Sequence, residues 1–79
     1  MEKSLHTEEH RVLCSLLRQY RIDAGLSQVQ LAEALDEPQS LVSRVEVGER
    51  RLDILELRQW LVPLAVSLRE FVERLEEIV

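Results

Sequence analysis

The chain is poor in residues that break or staple a fold: two glycines, two prolines and one cysteine among 79 positions. A single cysteine, Cys14, excludes an internal disulfide and fits a reducing compartment, so a cytoplasmic location is expected. No apolar run approaches the roughly 20 residues of a membrane span, and the start of the sequence carries no apolar leader segment. Neither insertion into a membrane nor export is therefore expected. The sequence also has no glycine-rich phosphate loop, no constellation of metal ligands and no Ser/His/Asp order suggesting a triad. Nothing supports an enzyme, and no cofactor or metal is expected. There are no repeats, linkers or low-complexity stretches. With so few breakers and few β-branched clusters, the sequence reads as helical nearly throughout.

What is present describes one small globular domain over residues 1–79. An apolar share of 46% is too high for a disordered chain. A core of this size stabilises by only a few kcal/mol, and such chains often gain burial by pairing with a copy of themselves. The net charge is −5, where a nucleic-acid binder is expected to show a basic footprint. The distribution softens that conflict. Residues 1–26 carry four basic and four acidic side chains, residues 27–52 three and five, residues 53–79 three and six. Much of the acid excess lies in the last third, which need not face DNA.

Five short helices follow from caps and periodicity. Thr7 caps the first, with Glu8 and Glu9 at the positive end of its dipole. Leu13, Leu16, Leu17 and Tyr20 make its buried stripe, and Gly25 ends it. Ser27 and Gln30 form a capping box that opens the second helix, with Leu31, Ala32 and Leu35 inward. Asp36 falls where the chain must turn sharply, and aspartate tolerates a left-handed backbone. Pro38 suits the first turn of the third helix, which Gly48 terminates. Asp53 and Glu56 box the fourth helix, whose stripe is Leu57, Trp60, Leu61 and Leu64; Pro63 predicts a kink or an early end. Ser67 and Glu70 read as the same box opening the fifth helix, which carries Leu68, Phe71, Val72, Leu75 and Ile78 on one side.

Residues 27–48 thus form a helix-turn-helix. Ala32 is small enough for the third helix to approach the second closely, and Leu31, Leu35, Val42 and Val45 fill the junction. The third helix then presents Gln39, Ser40, Ser43 and Arg44 outward. Glutamine offers adenine a paired donor and acceptor, arginine can grip guanine O6 and N7, and serine is permissive. A merely solvated helix face would have the same composition, so these residues alone leave both readings open.

The wider pattern is more specific. Leu17-Arg18, Gly25-Leu26-Ser27-Gln28, Leu31-Ala32, Gln39-Ser40, Val42-Ser43-Arg44 and Glu46-x-Gly48-x-Arg50 together resemble the phage-repressor and Cro-like (XRE) helix-turn-helix regulators. The resemblance covers roughly residues 13–67. It implies an all-α, five-helix, lambda-repressor-like fold and a transcriptional regulator that binds double-stranded DNA. By position it assigns Gln28 to a phosphate contact that also braces the recognition helix, and Gln39, Ser40 and Arg44 to base reading, with Ser43 beside them. Arg50 and Arg51 fall where the family contacts the DNA backbone. Arg21 and Glu46 match a partly buried salt bridge joining the first helix to the third, with Arg21 also near phosphate. Leu41 replaces what is often a backbone contact and is left out of the site. Asp36 stands where the family usually has glycine; with Glu37 and Glu49 it brings negative charge near the interface.

Other features carry simpler expectations. His6 and His10 are spaced i, i+4 but lack a third ligand, and they read as solvated histidines at a helix start. Cys14 and Trp60 read as packing residues, and Glu73, Glu76 and Glu77 as the wet side of the last helix. The fifth helix has more apolar residues than a closed core needs. Leu68, Phe71, Val72, Leu75 and Ile78 are therefore the expected dimerisation face, and residues 53–79 serve both core and pairing. Small controller-type and phage regulators resemble this chain and pair through their C-terminal helices. A two-fold homodimer would set recognition helices about 34 Å apart, one turn of duplex. Two other readings compete: an antitoxin that also binds a protein partner, and a protein-interaction module built on the same fold.

Overall fold

The computed structural model describes residues 7–79, so His6 lies outside it. Five helices follow in order: α1 (Glu8–Asp23), α2 (Gln28–Leu35), α3 (Gln39–Glu46), α4 (Ile54–Leu61) and α5 (Leu68–Ile78). The described residues contain no strand. None of their helices is long and apolar enough to cross a membrane.

Local chemistry sets the helix ends. Thr7 accepts from the His10 amide at 3.2 Å to open α1, and Gly25, at φ 77°, supplies the left-handed residue that closes it. Ser27 accepts from the Gln30 amide at 3.0 Å while the Gln30 side chain accepts from the Ser27 amide at 2.8 Å. Asp53 and Glu56 repeat that reciprocal pair at α4, at 2.7 and 2.9 Å. At α5 only half of the expected box forms: Ser67 accepts from the Glu70 amide at 3.0 Å, without the return bond. Pro38 is the N-cap of α3 rather than part of its first turn, with extended backbone at ψ 148°.

Two non-glycine residues adopt left-handed backbone. Asp36, at φ 57°, is the expected turn residue between α2 and α3. Ala65, at φ 60°, was not anticipated and lies in the turn that follows α4. That helix stops at Leu61 because Pro63 has no amide to bond the Gln59 carbonyl, which instead accepts from Val62 at 3.2 Å. Alanine has no polar side chain to offset the close approach of its Cβ to the next carbonyl. Ala65→Gly should therefore raise the unfolding free energy by about 1 kcal/mol, measured as a higher urea midpoint at unchanged slope.

The core joins all five helices. Leu17, Leu31, Val42, Val45, Leu61 and Phe71 are its fully buried side chains. Phe71 departs from expectation. Read as part of a dimerisation face, it has no exposed surface and stacks obliquely on Tyr20, ring centroids 5.9 Å apart. Its side chain closes the space between α1 and α5 and cannot touch another molecule. Leu68 and Leu75 flank it, partly buried against the same core, while Val72 and Ile78 remain exposed. Trp60 is buried as expected, with its indole Nε1 making no hydrogen bond.

Candidate nucleic-acid interface

The site begins at the α2–α3 junction. Ala32, buried and without side-chain bulk, lets α3 cross closely, and Leu31, Val42 and Val45 fill the contact. At about 100° per residue, Val42 and Val45 on the inner side of α3 force Gln39, Ser40, Ser43 and Arg44 onto the opposite one. Gln39, Ser40 and Arg44 are exposed there, and Ser43 is half-buried.

This outer face is held by a continuous chain of polar contacts. Arg21 reaches from α1 to Glu46 at the end of α3, with Nε to Oε2 at 2.6 Å and Nη2 to Oε1 at 3.1 Å. Its Nη1 donates to the Leu26 carbonyl at 2.7 Å. The pair is almost dry, with side chains 9% and 2% exposed. Glu46 Oε1 also accepts from Gln28 Nε2 at 3.0 Å, and Gln28 Oε1 in turn accepts from Gln39 Nε2 at 3.2 Å. A buried bidentate ion pair is rigid, because each lost contact would leave a charge without solvent. Its order is passed along two amides to the first residue of α3. Gln39 is left with its Oε1 and one N–H, the acceptor and donor that the adenine edge requires.

A family model described as helix-turn-helix matches residues 17–71, well over half of the chain. The chain belongs to the XRE-type helix-turn-helix family. Its five helices are the family's lambda-repressor-like fold, and the family is one of DNA-binding transcriptional regulators. No curated protein matches the chain closely enough to count as a relative.

In this helix-turn-helix protein, α3 is the second helix of the motif, and the backbone after it explains where Arg50 and Arg51 lie. Gly48, at φ 88°, turns the chain away from α3, and the Glu49 and Arg50 amides close back on the Arg44 carbonyl at 2.8 and 3.3 Å. Arg51 is exposed. Arg50 is only partly so, because Glu56 grips it end-on: Nη2 to Oε2 at 2.9 Å and Nη1 to Oε1 at 3.4 Å. The hydrogen bond from Arg50, with a second from the Asp53 amide, holds the Glu56 carboxyl below the usual carboxylate range.

His10 corrects the expectation of a solvated histidine. It is 9% exposed, and its Nε2 donates to the Gly48 carbonyl at 3.3 Å. It thereby fastens α1 to the turn that ends α3. Cys14 Sγ lies 3.6 Å from the same nitrogen, and burial pushes the thiol's pKa up, which suits a packing residue. Sequence spacing could not disclose the His10–Gly48 bond, which joins positions 38 residues apart. The Arg50–Glu56 pair was hidden differently. Glu56 already had a complete local explanation as the partner of Asp53.

Proposed function

We propose that the protein is a sequence-specific, operator-binding transcriptional regulator that acts as a homodimer in the cytoplasm. The outward face of α3 carries this reading: Gln39, Ser40, Ser43 and Arg44 project from one side of a helix whose other side is locked into the core. Arg44 and Gln39 read bases. Gln28 braces Gln39 and lies beside phosphate, and Arg50 and Arg51 hold the duplex backbone.

Exposed apolar surface supports the pairing. On α4 and its C-cap, Ile54, Leu55 and Val62 fall within an arc of about 100°, and Leu55 and Val62 are 69% and 73% exposed. On α5, Val72 and Ile78 emerge on opposite flanks of the buried Phe71–Leu75 seam. The two-fold interface therefore draws on the outer side of α4, whereas Ile78 lines a groove against Val12 and Leu16 of α1. Self-complementary apolar patches of this kind suit an isologous dimer that presents two recognition helices to successive major grooves.

Selection of bound duplexes from a random pool should yield a two-fold symmetric motif. Within it, Arg44→Ala should cost about 1–3 kcal/mol and relax preference at one base position, whereas Arg50→Ala should weaken binding evenly across sequences. Equal, sequence-blind losses for both variants would sink the base-reading role of Arg44. A selection that enriches no motif would sink operator recognition altogether.

A further inference from the structure

In the reading above Arg50 grips phosphate beside the recognition helix, yet it faces an acid already in place. The Glu56 carboxylate occupies its end-on edge through Nη1 and Nη2, and Nη1 also donates to the Arg51 carbonyl. The guanidinium has five donors in a fixed plane. With three engaged, its side edge, Nε and the second Nη2 hydrogen, remains available. The surroundings are acidic as well. Asp53 and Glu37 both act electrostatically on Arg50, and Arg50, Glu56 and Glu37 line one cavity of about 130 Å³ with Leu41 of α3. The pair therefore sits at the flank of the recognition helix, not on a remote surface.

A carboxylate and a phosphate oxygen make the same demand on a guanidinium: negative charge and paired acceptors about 3 Å from its nitrogens. We propose that Glu56 is a resident competitor for the phosphate partner of Arg50. It orients the guanidinium while cancelling much of its charge, and so sets the protein's sequence-blind affinity for DNA low. This proposal rests on the DNA-binding reading above and adds to it a residue outside the helix-turn-helix. Its consequence is a gain in discrimination. Contacts made by Gln39 and Arg44 to base edges are untouched by Glu56, whereas the general attraction that holds a regulator on irrelevant sequence is reduced.

Glu56→Gln separates these effects from folding. The amide oxygen it introduces can still accept from the Asp53 amide and preserve the α4 cap, while its NH2 group turns donors toward the donors of Arg50 and releases it. The probe is a random-sequence duplex, because phosphate contacts carry no sequence information. Compared with the wild type at low salt, Glu56→Gln should bind on the order of three- to tenfold more tightly, since a unit negative charge facing phosphate has been removed. The dependence of log affinity on log salt should steepen by about one unit, as for one added phosphate contact. The gain should largely disappear when Glu56→Gln is made in an Arg50→Ala background. Circular dichroism melts should show all variants folded at the binding temperature. Unchanged or weaker binding by folded Glu56→Gln overturns the proposal, as does a gain that persists without Arg50, which would make Glu56 a mere surface charge. A wild type that binds neither random nor selected duplex overturns the DNA-binding reading itself. A wild type that binds and a Glu56→Gln that binds no better overturns this proposal alone.

Discussion

Glu46→Ala should lower the unfolding free energy by about 3–5 kcal/mol, because it leaves the Arg21 guanidinium buried opposite an apolar gap. A domain this small has on the order of 5 kcal/mol in total, so much of this variant would be unfolded at moderate temperature. The loss would come less from the attraction removed than from the charge stranded. A double variant, Arg21→Met with Glu46→Leu, takes both charges out of the interior and should recover most of the stability. It should not recover DNA binding to the same degree, because Gln28 would lose the Oε1 acceptor that fixes its amide and, through it, Gln39. Urea titrations of the three proteins, with operator affinity measured on the folded ones, check both parts. A Glu46→Ala cost below about 1 kcal/mol, in the range of exposed pairs, would show that the bridge does not hold α3 to α1.

Phe71→Ala should be comparably severe, about 3–5 kcal/mol, through lost apolar burial and the cavity left against Tyr20. The form of the loss separates core from interface. A core residue destabilises the protomer at every protein concentration, whereas an interface residue acts only through the monomer–dimer equilibrium. Phe71→Ala should thus lower the melting temperature equally at low and high concentration. Leu55→Ser and Val62→Ser should leave the isolated protomer folded and shift sedimentation toward monomer. A Phe71→Ala melt that approaches wild type on dilution would return that residue to the dimer surface.

Much of the fold was legible because its signals are local. Ser27 with Gln30, and Asp53 with Glu56, announce helix starts within four residues, and the cost of leaving amides unpaired makes that chemistry hard to evade. Gly25, Asp36 and Gly48 mark left-handed backbone by residue type, and Pro63 stops α4 by lacking an amide. Ala65 shows where such reading ends. Its left-handed conformation closes the end of α4, with the Val66 amide on the Leu61 carbonyl at 3.3 Å and the Ala65 amide on the Val62 carbonyl at 3.0 Å, and alanine, unlike Gly25 or Asp36, gives no sign of it by residue type.

The α3 face was legible for the same reason. Val42 and Val45 identify the inner side, and helical geometry places Gln39, Ser40, Ser43 and Arg44 opposite. The Arg21–Glu46 pair was reached only through family resemblance, since no spacing rule links positions 25 residues apart. Phe71 failed as a dimer residue because periodicity says that a stripe must be buried but not what buries it. A stripe facing α1 of the same chain and one facing a second copy have identical sequences.

By itself, then, the sequence determined the helices, their caps, the turn at Asp36 and the side of α3 that faces outward, all consequences of backbone hydrogen bonding and helical repeat within a few residues. The tertiary structure alone decided that Phe71 belongs to the core, that His10 fastens the end of the recognition helix, and that Glu56 faces Arg50. Those outcomes depend on which distant groups meet once the helices close. Desolvation and charge then act across contacts that no interval along the chain encodes.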